Sequence, residues 1–481
     1  MLCIAILLIA GGFRWYRIAE RSIWLDEAVV ANYARQSLTN NITKTRLGSS
    51  SPVIYPLVLQ AVQRVDDSVF AVRSTSAAFS LLAIITVLLL PGFGFDRSAA
   101  LVAAAVLAVS PSQIRYAQEV RDYSLSVFLA AAMVVALVGV LNERRGSRAL
   151  FLIVFFLAPL AQYGLVFLAI AILITVVVAG ARRDDFKPIL RISTAATSAL
   201  AIGVVITYLL TLRGQWGRGD LSYLHRFFYD GSIFDFGAVA AFLATRAHQL
   251  AAYLNLGDGS VVLLVPCLGL FLLAKSSAPR DARLVFALAL VSVAIVGGVS
   301  IFGIYPFGPI RQNLFLAPAV VVAVGGGWAA LMTNLPPKHR DKTTALFLVM
   351  VVAAGTFGIV RADPYREVED IKSIISGLDE HTSGEIVYVH YGARAALRFY
   401  KVDGPNFVFG DSHRGNPAAY LTEFRALVDD EAPLVWVVFS HTSTAERRFL
   451  LKGLASEWKF KLVVKARGAR LYRGRRIPAA E

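Results

Sequence analysis

Charge and cysteine are scarce in this chain. Charged residues make up 17% of the 481 positions and hydrophobic ones 56%, whereas a soluble domain is about a quarter charged and under half apolar. One soluble core stops growing at roughly 250–300 residues, so the apolar excess excludes an ordinary cytosolic enzyme, and it equally excludes a disordered chain. The two cysteines, Cys3 and Cys267, both lie inside apolar runs. They read as small hydrophobes, with no disulfide scaffold and no metal site expected. Acids are fewer than bases, 33 against 48, for a net charge of +15. The bases fall mainly in short gaps between apolar runs, which membrane topology explains and nucleic-acid binding does not. A polytopic α-helical membrane protein remains.

Residues 1–361 read as a membrane domain and 362–481 as a soluble tail. Apolar runs at about 1–18, 69–91, 98–110, 123–141, 149–162, 163–180, 192–212, 258–274, 284–303, 314–333 and 343–361 predict about eleven spans. Those at 98–110 and 149–162 fall short of the ~20 residues that a perpendicular helix needs. The first run competes with a signal peptide, but no small-residue cleavage site follows it, and Trp15 and Tyr16 suit a membrane interface. With a cytoplasmic N-terminus, the cytoplasmic gaps hold Arg97; Arg144, Arg145 and Arg148; Arg182, Arg183, Lys187 and Arg191; Lys275, Arg280 and Arg283; and Lys338, Arg340 and Lys342. This is the basic bias expected inside. Arg14, Arg17 and Arg21 fall on the other side. The external face then carries loops 19–68 and 213–257 and the tail. No internal repeat is visible.

The tail alternates strand and helix patterns. Strands are predicted at Glu385–Tyr391, Asn406–Phe409, Leu434–Ser440, Trp458–Lys465 and Arg470–Tyr472. Helices are predicted from Asp363-Pro364 to about Leu378 and at Ala393–Tyr400, Asn416–Val428 and Thr444–Ser456. That order predicts a small α/β domain with a largely parallel sheet and a closing hairpin. It has no Gly-rich phosphate loop, so no nucleotide is assigned to it.

Four stretches could carry chemistry. Trp24-Leu25-Asp26-Glu27-Ala28 opens a helical pattern to Leu38 that suits a helix lying on the bilayer. Its two acids could simply cap that helix. As neighbours they point about 100° apart, so at most one faces any given site. Ser51-Pro52-Val53-Ile54-Tyr55-Pro56 leads into a helix, with Tyr55 as either a site residue or an interfacial anchor. Tyr116-Ala117-Gln118-Glu119-Val120-Arg121-Asp122-Tyr123 packs ionisable groups against a span. Helical spacing would put Glu119 and Tyr123 on one face, and Arg121 and Ser124 on another. Charge at a membrane boundary is costly unless paired or working; an internal salt-bridge cluster is the plainer alternative. In Tyr305-Pro306-Phe307-Gly308-Pro309-Ile310-Arg311, the positive-inside rule gives no reason for Arg311, whereas an anion ligand would.

Asp26-Glu27, Ser51-Pro52 through Tyr55, and Tyr116 with Glu119-Val120-Arg121-Asp122-Tyr123 resemble the GT-C superfamily of membrane glycosyltransferases. The resemblance is to bacterial relatives of protein O-mannosyltransferases and of the lipid A aminoarabinose transferase, and the tail segments Pro364–Glu367, Glu385–Tyr391 and Ala396–Tyr400 add to it. It implies a polyprenyl-phosphate-linked sugar donor, an extracytoplasmic acceptor, no nucleotide sugar, and inversion in a single displacement. Asp26 would be the general base with Glu27 beside it. Arg121 and Arg311 would meet the departing phosphate, with Tyr55 and Tyr123 as hydrogen-bond donors and Tyr116 and Glu119 nearby. Relatives often carry a His before a Tyr where Gln162-Tyr163 stand here, so that His has no counterpart. Too few acids surround Asp26 and Glu119 to complete a divalent cation's shell, so no metal and no cofactor are expected. The resemblance further implies a monomer in the bacterial inner membrane, in contact with membrane lipid and with no nucleic acid.

Two other classes stay open on the sequence. A transporter or lipid flippase would place its ionisable residues near the bilayer midplane; here the spans hold almost none, Arg73 excepted. A scaffold displaying the tail would use its basic end, Arg467–Arg476, toward anionic lipid or glycolipid phosphates; a solvated terminus is the plainer reading of that stretch. The sequon Asn41-Ile42-Thr43 is read as incidental.

Overall fold

A computed structural model describes residues 1–36, 51–181, 186–213, 222–257, 280–382, 384–413, 416–429 and 431–478. The expected span at 258–274, with Cys267, and also Arg182, Arg183, Lys275 and the sequon, lie outside the described residues. The chain forms two compact units. One comprises Met1–Ile18 and Leu38–Pro364; the other comprises Ala19–Ser37 and Tyr365–Glu481.

The first unit is helical. Among the described residues, six helices are long and apolar enough to cross a membrane: Val69–Leu88, Tyr123–Leu141, Lys187–Leu212, Arg280–Ile301, Arg311–Met332 and Pro337–Ala362. A seventh candidate is the pair Arg97–Val109 and Pro111–Ala117, bent by 61°. Four of the expected spans are shorter. They appear as Leu2–Trp15, as the first limb of the bent pair, and as Ser147–Ala161 and Leu165–Gly180. A 15-residue helix extends only ~22 Å, less than the ~30 Å hydrocarbon core. The expected loop 213–257 contains a 19-residue helix, Phe236–Leu254, whose N-cap Asp235 accepts from the Ala238 amide.

The interior is built on Arg97–Val109 and Tyr123–Leu141, which are buried nearly all round. Small residues allow the close approach. A Cβ on Gly325 would stand 2.2 Å from the Ala99 carbonyl oxygen, and one on Gly355 2.2 Å from Val109 Cγ2, so glycine lets those backbones touch where little hydrophobic force acts between helices.

The misplaced basic residue Arg14 has a structural reason. It is fully buried. Its Nε donates to Ser80 Oγ (2.8 Å), Nη1 to the carbonyls of Ala10 (3.1 Å) and Ala108 (3.0 Å), and Nη2 to that of Leu107 (3.0 Å). Arg73, also buried, donates to the Ile18 carbonyl at 2.9 Å.

The second unit is an α/β domain with a five-stranded sheet in the order β2-β1-β3-β5-β4. The strands are β1 (Ile386–Val389), β2 (Phe407–Phe409), β3 (Leu434–Ser440), β4 (Trp458–Lys465) and β5 (Ala469–Arg476). Strands β2, β1 and β3 are parallel, and β4 and β5 form the antiparallel closing hairpin. This is the expected domain. Its first helix, Ile371–His381, starts later than the pattern at Asp363 indicated, because Asp370 caps it through the Ser373 amide (3.1 Å).

The helix Leu25–Ala34 also belongs to this unit. It packs on helix Tyr391–Phe399: Asn32 Nδ2 donates to the Ala395 carbonyl (2.7 Å), Arg35 Nη1 donates to that of Phe399 (3.0 Å), and the Arg35 guanidinium lies 4.6 Å over the Phe399 ring. The expected bilayer-surface helix is therefore a protein-packed one. Polar groups at both its ends find partners in the domain.

Candidate active site

The first unit holds a cavity of about 250 Å³. Its wall includes Pro52, Arg121, Asp122, Tyr123, Gln162, Tyr163, Tyr305, Pro306 and Gln312. Five separate stretches of sequence meet here, the fifth holding Leu224 and Phe228, and four of them contain residues named above.

The Glu119–Asp122 stretch is not helical. The short helix ends at Ala117 and the next begins at Tyr123, so the helical spacing inferred for Glu119 with Tyr123 and for Arg121 with Ser124 does not hold. Gln118 is the cause. Fully buried, it donates through Nε2 to the carbonyls of Arg14 (3.0 Å) and Tyr16 (2.8 Å) at the end of the first helix, and this tie turns the chain. Glu119 then pairs with Arg115 at 2.8 Å, and Arg115 also donates to the Pro364 carbonyl at 3.0 Å.

Three expected residues converge. Arg121 Nη2 donates to the Tyr123 hydroxyl at 3.3 Å, with its guanidinium 5.6 Å from the Tyr123 ring centroid. The Arg311 guanidinium lies 5.7 Å from the same centroid. Two cations thus flank one ring at the N-terminus of an apolar helix, where the macrodipole adds positive potential. Tyr116 meets Tyr123 edge to face at 5.4 Å. Tyr55 is fully buried behind the cluster. Its hydroxyl sits 2.7 Å from Ser76 Oγ, which donates to the Arg121 carbonyl (3.3 Å). Asp122 accepts from Ser51 Oγ at 3.2 Å. Burial raises the Asp122 carboxyl above its ordinary range, opposed chiefly by the Arg121 charge.

The sequence assigned no role to the side chains of the opposite wall. Gln162 Nε2 donates to the Tyr305 hydroxyl (3.0 Å) and the Gln312 carbonyl (3.2 Å), and Tyr305 donates to that carbonyl at 2.8 Å. Burial pushes the Tyr305 hydroxyl far above its usual range, so it stays a donor at any working pH. Asn313, fully buried, holds the turn before Arg311 through the carbonyls of Pro306 and Gly308, both at 3.1 Å.

The paired acids lie in the second unit. Glu27 is completely buried and Asp26 half-buried, as their angular separation on a helix requires. The approach to Asp26 is tied down residue by residue. Glu367 accepts from the Ser22 amide (2.7 Å), the Tyr400 hydroxyl accepts from the Ile23 amide (2.9 Å), and Glu369 Oε2 accepts from the Leu25 amide (3.2 Å). Glu369, almost wholly buried, also accepts from Ser440 Oγ (3.0 Å) and contacts His441 Nδ1 at 2.6 Å. The tail residues that do this run from Glu367 to His441; Glu367 and Tyr400 end segments quoted above, whereas Glu369 was not singled out. Among the described residues no three His, Cys, Asp or Glu side chains cluster as a metal site would need.

Residues 50–209 match the family model described as dolichyl-phosphate-mannose-protein mannosyltransferase. No curated protein sequence matches the chain. Among solved structures, ArnT from Cupriavidus metallidurans bound to undecaprenyl phosphate superposes with a TM-score of 0.60 at 12% identity, over 98% of this chain and 97% of that one. The Archaeoglobus fulgidus oligosaccharyltransferase AglB, in complex with an inhibitory peptide and a dolichol-phosphate, gives 0.56 at 12% identity over 98% and 73%. The chain has the fold of the GT-C membrane glycosyltransferases.

Proposed function

We propose that this protein is an inverting glycosyltransferase that moves one sugar from a polyprenyl-phosphate carrier to an acceptor outside the cytoplasm. The observation that carries the reading is a cavity lined by Arg121 and Tyr123, with the Arg311 guanidinium against the same Tyr123 ring. Its support from outside the chain is that ArnT, of the same fold, binds undecaprenyl phosphate. In the proposed reaction Asp26 takes the proton from the acceptor hydroxyl, and that oxygen attacks the anomeric carbon. The bond from that carbon to the phosphate oxygen breaks, and its electron pair stays on the phosphate, whose charge the two guanidiniums and the Tyr123 hydroxyl take up. Glu27 holds the Asp26 helix from within the protein. The chain works as a monomer in the inner membrane with its N-terminus cytoplasmic, a topology supported by the basic gaps of the sequence.

The experiment is to supply the purified chain, in vesicles, with a panel of polyprenyl-phosphate sugars and an envelope lipid extract. The expected result is transfer of labelled sugar with release of polyprenyl phosphate. Movement of the intact lipid-linked sugar across the bilayer with no release would replace this reading by a flippase.

A further inference from the structure

Residues 447–476 hold 11 of the 18 Lys and Arg found after residue 361, but one of the 16 acids, Glu457. That acid already accepts from Arg425 at 2.6 Å. The segment forms helix Thr444–Gly453 and the β4–β5 hairpin, which enclose a groove of about 610 Å³. Arg447, Arg448, Lys452 and Lys459 line it, with Phe460 and Tyr472 half-buried at its floor. Among the described residues none of the four cations makes an ion pair.

The hairpin adds repulsion of its own. Lys459 stands opposite Arg475, and Lys461 opposite Arg473; like charges directly opposite on a sheet destabilise it. Lysines on β4, the sheet's edge, could be explained as guards against strand pairing. Arg447, Arg448 and Lys452 stand on a helix, so edge protection does not account for them. An anion in the groove would relieve the three helix cations and Lys459, which line it.

We propose that this groove binds an acidic saccharide chain. Its carboxylates or phosphates would ion-pair with the cationic rim, and its rings would lie against Phe460 and Tyr472. The concave shape, of the size of small-ligand sites, favours a chain of rings over a flat membrane surface. The site stands apart from sugar transfer, since binding needs no donor.

The test is calorimetric titration of the full-length protein, in nanodiscs of neutral lipid, with hexagalacturonate and with maltohexaose as the uncharged chain. Hexagalacturonate binds, and its affinity falls about tenfold or more between low and high salt. The triple variant Arg447→Gln/Arg448→Gln/Lys452→Gln loses about tenfold or more. Lys338→Gln/Lys342→Gln, which removes charge from the other unit, changes it less than twofold. Equal binding of the neutral chain, equal loss in both variants, or binding of anionic vesicles but not of the saccharide would overturn the proposal. Each of these outcomes can be read whether or not the protein transfers sugar.

Discussion

Arg14 donates through Nη2 to the Leu107 carbonyl at 3.0 Å, the one acceptor that Pro111, four residues along, has no N–H to serve. The bend that projects Tyr116 and Arg121 is therefore closed by an arginine from another helix. Replacing Arg14 with Met leaves buried carbonyls unmatched at about 1–3 kcal/mol each. Thermal unfolding in detergent should show the variant among the least stable single substitutions of the membrane unit.

Glu369 fixes the first turn of the Asp26 helix through the Leu25 amide. In Glu369→Gln the amide group presents donors where Ser440 and His441 already donate. Sugar transfer should fall about tenfold, the equivalent of ~1.4 kcal/mol, while polyprenyl-phosphate affinity stays unchanged. A parallel loss of affinity would show a broader structural role.

Arg121 and Arg311 share one ring, so they should act together. Arg121→Gln and Arg311→Gln should each weaken polyprenyl-phosphate binding about tenfold or more, given ~1.5–3 kcal/mol for a hydrogen bond to a charged group. The double variant should fall short of the sum, because neighbouring groups do not add. Titration with undecaprenyl phosphate measures all three.

Glu446 lies 3.5 Å from His390, and that contact, the largest cause, holds its carboxyl below the usual range. A depressed carboxylate stabilises the fold fully above its unfolded pKa and loses that contribution as pH falls through the folded value. The second unit should therefore lose stability on acidification from the ordinary carboxylate range downward. Glu446→Gln should flatten that part of the curve of melting temperature against pH.

The tail domain was legible because its strands are compact apolar runs: Leu434–Ser440 is LVWVVFS, and β3 has those bounds. The Arg121 and Arg311 cluster could be anticipated from charge with no topological excuse. The break at Glu119–Asp122 could not, because no Gly or Pro marks it; Gln118 makes it by bonding carbonyls about 100 positions earlier. The angular separation of Asp26 and Glu27 was readable, but not which of them is buried. That depends on packing against Tyr391–Phe399. Glu369 and Tyr400 act on backbone amides more than 340 residues away, a relation that periodicity does not carry.

The most direct test of the account is sugar transfer by Asp26→Asn, assayed beside its undecaprenyl-phosphate affinity. The account predicts a loss of at least about 100-fold in transfer, the scale of a general base, with affinity and melting temperature as in the unaltered protein. A well-folded Asp26→Asn protein that transfers sugar at the normal rate would contradict it.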